Sequence, residues 1–206
     1  MQVVELKNGM SMFAYDSNDY FANKTLITED CLRILASYAY GIEDDDQSDI
    51  ALEYQDAKHQ LMNIFDNFFD DYQQGFVCIL CYNNTPVSYV IYNNINKTNS
   101  WIVEMIQTSC DYTNLGFGSK LLKQSALLLK NYAGAKEIIA TINSKNNSSL
   151  AMHERFVSEH NLHCYRDYYD NRTAWHIDIS NLKSKINIVS VKKDADVDKN
   201  IDTFNM

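Results

Sequence analysis

With 206 residues, 46% of them hydrophobic, the chain can bury one sizeable core and is short for two ordinary domains. A formal net charge of −9 leaves no basic stripe to neutralise phosphates, so no nucleic-acid partner is expected, and no segment is long and apolar enough to span a bilayer. Residues 1–6 lack the charged-then-apolar order of a secretion signal, and five cysteines, an odd number scattered along the chain, make no disulfide framework; a soluble, cytoplasmic protein with no membrane partner is expected.

In chain order, residues 10–15 predict a first strand, and Thr28 reads as the cap of a helix over 29–40 that Gly41 stops. Glu43, Asp44, Asp45 and Asp46 then form an acidic loop. A second helix follows, with Asp49, Glu53 and Asp56 on one side and Ile50, Tyr54, Ala57, Leu61, Ile64, Phe65 and Phe68 on the other. Its acidic side reads either as a solvated face or as a surface that recognises amines. Gly75 ends that helix, 76–82 reads as a strand, Asn83-Asn84-Thr85-Pro86 as a turn and 87–92 as the returning strand of a hairpin. Cys78 and Cys81 have C-x-x-C spacing, but residues three apart on a strand point to opposite faces, so neither metal nor redox use is expected.

A polar loop over 93–100 leads to a strand over 101–108 that carries Glu104. Gly116 and Gly118 then stand where this strand has stopped and an amphipathic helix begins. Glycines let the backbone turn tightly and approach a ligand, while the free N–H groups and positive dipole end of the helix favour an anion, which is a phosphate-binding geometry. The helix, 118–132, buries Leu121, Leu122, Leu128, Leu129 and Tyr132 with Ser125 and Ala126, and turns Lys120, Lys123, Gln124 and Lys130 outward. Residues 133–135 end it, and the β-branched run 138–142 reads as a buried strand, completing a βαβ unit. Ser148 or Ser149 would cap a further helix that carries His153.

Residues 164–169 and 173–179 flank a turn at 170–172, with Trp175, Ile177 and Ile179 inward and His176 and Asp178 outward. After Ser180 the chain turns polar, with an edge strand at 186–189 and a disordered end. The expected organisation is one domain over 1–180 and a polar tail over 181–206. His153, His160 and His163 lack the carboxylate or thiolate partner a metal site needs at short spacing, so no metal is expected. No Gly-x-Ser-x-Gly elbow, P-loop lysine or His-Glu-x-x-His occurs to anchor a hydrolase, NTPase or zinc-protease reading.

The stretch from Trp101 to Phe156 resembles the acyl-CoA-binding core of the GNAT superfamily of N-acetyltransferases. That family runs an acidic strand into a loop Arg/Gln-x-x-Gly-x-Gly/Ala, matched here by Thr113-Asn114-Leu115-Gly116-Phe117-Gly118. It then places Asn-x-x-Ser/Ala ahead of a Tyr or His, matched by Asn146, Ser149 and His153. Three departures stand out: Thr113 at the basic position, Asn114 at a position that is often glycine, and Val157-Ser158 where a Gly-Phe pair commonly closes the motif. Backbone amides can cradle a diphosphate without the arginine, so its loss lowers affinity rather than abolishing it.

The resemblance implies an α+β fold of α/β/α layers: a mixed, mostly antiparallel sheet with a βαβ acyl-CoA unit and helices on both faces. It implies acetyl-CoA as co-substrate, held at Asn114, Leu115, Gly116, Phe117, Gly118, Ser119 and Asn146, with backbone donors for the oxyanion between Ile106 and Thr108. Glu104 is the implied base. On a regular strand it shares a face with Ile102 and Ile106, and an apolar setting raises a carboxyl pKa. His153 is the implied acid for the departing thiolate, and Tyr112 a packing residue. The acceptor expected from the acidic first half is a cationic small molecule, aminoglycoside-like or polyamine-like. A protein or peptide amine is the second reading and a decayed, partner-binding module the third; a homodimer is compatible with each.

Overall fold

A computed structural model describes residues 1–36, 47–71, 74–94, 98–183 and 188–190. The strands are β1 (Gln2–Glu5), β2 (Met10–Asp16), β3 (Gly75–Tyr82), β4 (Thr85–Asn93), β5 (Ser100–Thr108), β6 (Glu137–Asn143), β7 (Cys164–Tyr169), β8 (Arg172–Asp178) and β9 (Ile188–Ser190). The helices are α1 (Ser17–Ala36), α2 (Gln47–Asp71), α3 (Phe117–Ala133) and α4 (Asn147–Glu159). The strands form one sheet in the order β7-β8-β6-β5-β4-β3-β2-β1-β9. Among the described strands, β5 and β6 pair in parallel, the crossover through α3 returning the chain to the same end of the sheet; the other neighbours, including β2 and β3 joined through α1 and α2, are antiparallel. This is the mixed, mostly antiparallel sheet with helices on both faces that the sequence implied.

Two cores flank the sheet. Under α3 and α4, Met12, Leu80, Trp101, Leu121, Leu122 and Trp175 pack together; on the α1 and α2 side, Tyr20, Ile27, Phe65, Ile79 and Tyr89 do so. Strand β3 is buried on both faces, which is why 76–81 is an unbroken apolar run. Cys78 falls in the first core and Cys81 in the second, both as free thiols, as strand alternation requires.

Helix α1 departs from expectation. It starts at Ser17, where Asp16 Oδ1 accepts the Asp19 N–H at 2.9 Å, and Thr28 is a buried residue in mid-helix. Asn23 leaves helical geometry (φ −132°, ψ 22°), so the apolar period is broken there and the first half does not read as helix. Tyr40, Gly41 and the acidic run 43–46 lie outside the described residues. On α2, Leu61 and Phe65 are buried as expected, but Ile64 is exposed, and Asp66 accepts from Tyr20 Oη and Lys24 Nζ of α1. Asp56 is exposed, while the side chains of Asp49 and Glu53 lie outside the described residues.

Asn83 and Asn84 both take positive φ (48° and 65°), so a two-residue turn suffices and β4 restarts at Thr85. Pro86 sits at the beginning of that strand, beside a register shift in its pairing with β3. Strand β1 has no counterpart in the sequence reading, and β9, which pairs with it, overlaps the edge strand expected at 186–189. Among the described residues, no helix is long and apolar enough to cross a membrane.

The parallel ladder joins Ser100–Val103 to Glu137–Ala140 and stops there; β5 then runs on to Thr108 beside β4, and β6 to Asn143 beside β8. The two strands therefore splay at their carboxyl ends, and α3 begins just beyond the end of β5.

Candidate active site

The mouth of α3 is built by a tight backbone path. After β5, a single turn of 3-10 helix (Cys110–Tyr112) leads to Thr113, whose hydroxyl donates back to the Cys110 carbonyl at 3.0 Å. Unlike an arginine, it brings no charge to the loop. Asn114 (φ 62°) and Gly116 (φ 81°) are both left-handed, and residues 113–116 are exposed. Gly116 caps α3 without a side-chain hydrogen bond, and the ladder begins with Lys120 N–H to the Gly116 carbonyl. The amides of Phe117, Gly118 and Ser119 thus carry the positive end of the dipole with no capping side chain in front.

The two glycines act differently. A Cβ on Gly116 would meet nothing within 4 Å, so φ is what demands glycine there. A Cβ on Gly118 would stand 3.0 Å from Thr108 Oγ1 and 3.2 Å from Met152 Sδ, so that glycine lets α3 settle onto the end of β5 and onto α4. Phe117 is held between the rings of Tyr82 and Tyr112, at 5.4 and 5.7 Å, which gives Tyr112 the packing role expected of it. Leu115 is exposed, so among the described residues its side chain does not close the mouth. An exposed, uncapped helix start beside a splayed sheet fits an extended anion such as a diphosphate.

Glu104 does not sit on a regular strand. Ile91 pairs with Met105 while Tyr92 pairs with Val103, so Glu104 is the extra residue of a β-bulge. The bulge reverses the alternation beyond it: Ile106 packs into the α3 and α4 core, and Met105 faces α1 and α2. The expectation that Ile106 shares a face with Glu104 is therefore corrected. The Glu104 side chain reaches solvent, and Asn93 Nδ2 donates to its Oε1. Partial burial raises its carboxyl above the usual range, and the Asn93 hydrogen bond pulls it partly back. Asn93 was not singled out in the sequence, where it looks like the first residue of a polar loop. It is fully buried at the end of β4, and its Oδ1 has no partner among the described residues.

His153 lies on the inner face of α4, 1% exposed, with its ring 6.2 Å from that of Trp175. Its Nδ1 stands 2.8 Å from the Ser149 carbonyl, which can only accept, so Nδ1 carries the hydrogen and the neutral ring leaves a lone pair on Nε2. Burial pushes its pKa below the ordinary value, with the Ser149 contact opposing. Near neutral pH this imidazole is a hydrogen-bond acceptor, the reverse of the acid expected at this position. Nε2 is buried without a partner among the described residues.

The shift has a consequence for stability. The unfolded chain titrates this group near 6.5 and the folded chain lower, so on acidification the unfolded state binds the proton first. The contribution is whole above about pH 6.5 and falls as the pH drops toward the folded value. His153→Leu is expected to flatten the decline of Tm between about pH 7 and pH 5; melts of the two proteins with the same pH dependence would contradict this.

Helix α4 begins one turn boundary earlier than expected: Asn146, not Ser148 or Ser149, is its cap, with Oδ1 accepting the Ser149 N–H at 3.1 Å. That bond uses one of the two acceptor lone pairs of the oxygen. Among the described residues, no three His, Cys, Asp or Glu side chains gather as a metal site.

A βαβ unit splayed at its carboxyl ends, an open helix start beside the gap and a carboxylate on the adjoining bulge define an acetyltransferase of the GNAT class. Residues 36–157 match the model of the Acetyltransferase (GNAT) family, and the chain belongs to that family. Solved structures share the fold at low identity. PaiA N-acetyltransferase from Thermoplasma acidophilum, in complex with coenzyme A, superposes with a TM-score of 0.52 at 14% identity over 82% of this chain and 98% of its own. RimL, a ribosomal L7/L12 alpha-N-protein acetyltransferase in complex with coenzyme A, gives 0.55 at 9% over 88% and 99%. The ribosomal-protein-S5-alanine acetyltransferase from Vibrio fischeri gives 0.52 at 11% over 88% and 99%. No curated protein matches the sequence.

Proposed function

We propose that this N-acetyltransferase moves the acetyl group of acetyl-CoA to a primary amine of a cationic small molecule. The observation that carries the reading is the uncapped start of α3 beside the splayed ends of β5 and β6. Its amides from Asn114 to Ser119 hold the diphosphate, and Gly118 keeps the loop against Thr108 and Met152. Glu104 takes the proton of the acceptor ammonium, directly or through one water, and the freed amine attacks the thioester carbonyl. A backbone N–H between Ile106 and Thr108, past the bulge, stabilises the oxyanion. The proton that the attacking nitrogen sheds as the amide forms passes to the departing thiolate; His153, buried on the inner face of α4 with Nε2 closed off from solvent, packs behind this step and is not its donor. Asn146 shapes this end of the site by starting α4, and the domain that performs the reaction is residues 1–180, with β9 of the tail added to the sheet edge.

The net charge of −9 favours a cationic acceptor. The second reading, a peptide amine, is supported by the fold shared with the two ribosomal-protein acetyltransferases. A panel of polyamines, aminoglycosides and N-terminal peptides, with thiol release as readout, separates them. Turnover is expected with the polycations and little with the peptides. Faster turnover with peptides replaces the first reading by the second, and binding of acetyl-CoA without turnover on any amine favours the decayed module.

A further inference from the structure

We propose that Asn93 is a positioning residue that holds Glu104 in both of its protonation states, through Nδ2 while the carboxylate is ionised and through Oδ1 once it has accepted the substrate proton. The inference rests on the reading of Glu104 as the base.

Asn93 closes β4, opposite Ile102 and next to the bulge that carries Glu104. An ionised carboxylate only accepts, so its contact with Nδ2 fixes which way the amide points and leaves Oδ1 without a partner among the described residues. A fully buried carbonyl oxygen without a donor is costly and calls for an explanation. The explanation lies in the other state of its neighbour. A carboxylic acid presents one O–H donor and one C=O acceptor, which matches the acceptor and donor edge of a primary amide.

The proton balance is simple. An N–H bond of the acceptor ammonium breaks, an O–H bond forms on Glu104, and that O–H donates to Asn93 Oδ1 while Nδ2–H stays on the other carboxyl oxygen. Because the Glu104 side chain reaches solvent, the proton then leaves to water. The oxygen left unpaired in the resting state is thus paired only after proton transfer. Other titratable groups of the packed elements include Asp30 and Cys31 on α1, Tyr89 on β4 and Glu137 on β6. Glu137 is engaged by Ser100 and His176, and the influences acting on Glu104 are burial and the Asn93 amide alone. Helix α3 packs on the opposite face of the sheet.

The test uses the full chain labelled with carbon-13 at the glutamate carboxyls, together with pH profiles of kcat. In Asn93→Leu, the Glu104 carboxyl is expected to titrate higher, because the charge-assisted bond lost from the ionised form outweighs the neutral bond lost from the acid, and kcat to fall by about tenfold or more, with acetyl-CoA affinity unchanged. Asn93→Asp keeps the shape but offers only acceptors, and should raise the Glu104 titration further, since two carboxylates then share one proton. An unchanged titration in Asn93→Leu, or a loss of kcat that follows a loss of acetyl-CoA affinity or Tm, overturns the proposal. If Glu104→Gln retains full turnover, the base reading fails on its own, and the carboxyl titration still reports whether Asn93 controls the group.

Discussion

Replacing Glu104 by glutamine is expected to lower kcat by about 10²–10⁴-fold while acetyl-CoA binding stays within about twofold of the unaltered protein. The substitution keeps the size of the side chain and an oxygen that accepts from Asn93 Nδ2, so the bulge has no reason to rearrange. What it removes is the capacity to take a proton. The same change should erase the acidic limb of the pH profile. A base works only when ionised, so activity rises with pH through its pKa, and burial sets that limb above the ordinary carboxylate range. Steady-state rates across pH for both proteins check it; a glutamine variant with an intact rate and limb removes Glu104 from the chemistry.

Gly118→Val should be damaging through binding instead. Even a methyl group there stands 3.0 Å from Thr108 Oγ1 and 3.2 Å from Met152 Sδ, and an isopropyl group adds bulk against both β5 and α4. Helix α3 must lift from the sheet, which moves the amides proposed to hold the diphosphate. Affinity for acetyl-CoA is expected to fall by at least about tenfold, with a lower Tm in the absence of coenzyme. Calorimetric titration measures the first and a thermal melt the second; wild-type affinity in this variant would show that the glycine is not placed by close packing.

The parts of the fold that were legible in the sequence are those where local chemistry and tertiary packing agree. The βαβ unit was readable because two glycines, a leucine stripe and an uninterrupted β-branched run each impose a distinct local geometry. The last hairpin was readable because Trp175, Ile177 and Ile179 alternate with polar residues and are buried as that alternation demands. Helix α1 was not, since its cap is Asp16 at the end of a strand and its period breaks at Asn23.

The site was half legible, for a related reason. The open start of α3 follows from backbone conformation, which glycine announces. The environment of Glu104 does not, because one inserted residue in a ladder reverses the faces of Met105 and Ile106 without altering composition. Asn93 and Asn94 open a stretch that reads as a polar loop, yet both are buried, Asn94 through bonds to Gln74 and Thr98. His153 was located correctly on its helix, but its tautomer is set by the Ser149 carbonyl, a backbone contact that no motif specifies.

The claim that main-chain amides of the α3 mouth hold the coenzyme is tested most directly by amide nuclear magnetic resonance of the full chain during titration with acetyl-CoA. The account predicts that the largest shifts fall on Leu115, Gly116, Phe117, Gly118 and Ser119. If these amides stay in place while acetyl-CoA binds elsewhere, or if no resonance moves at millimolar coenzyme, the account is wrong.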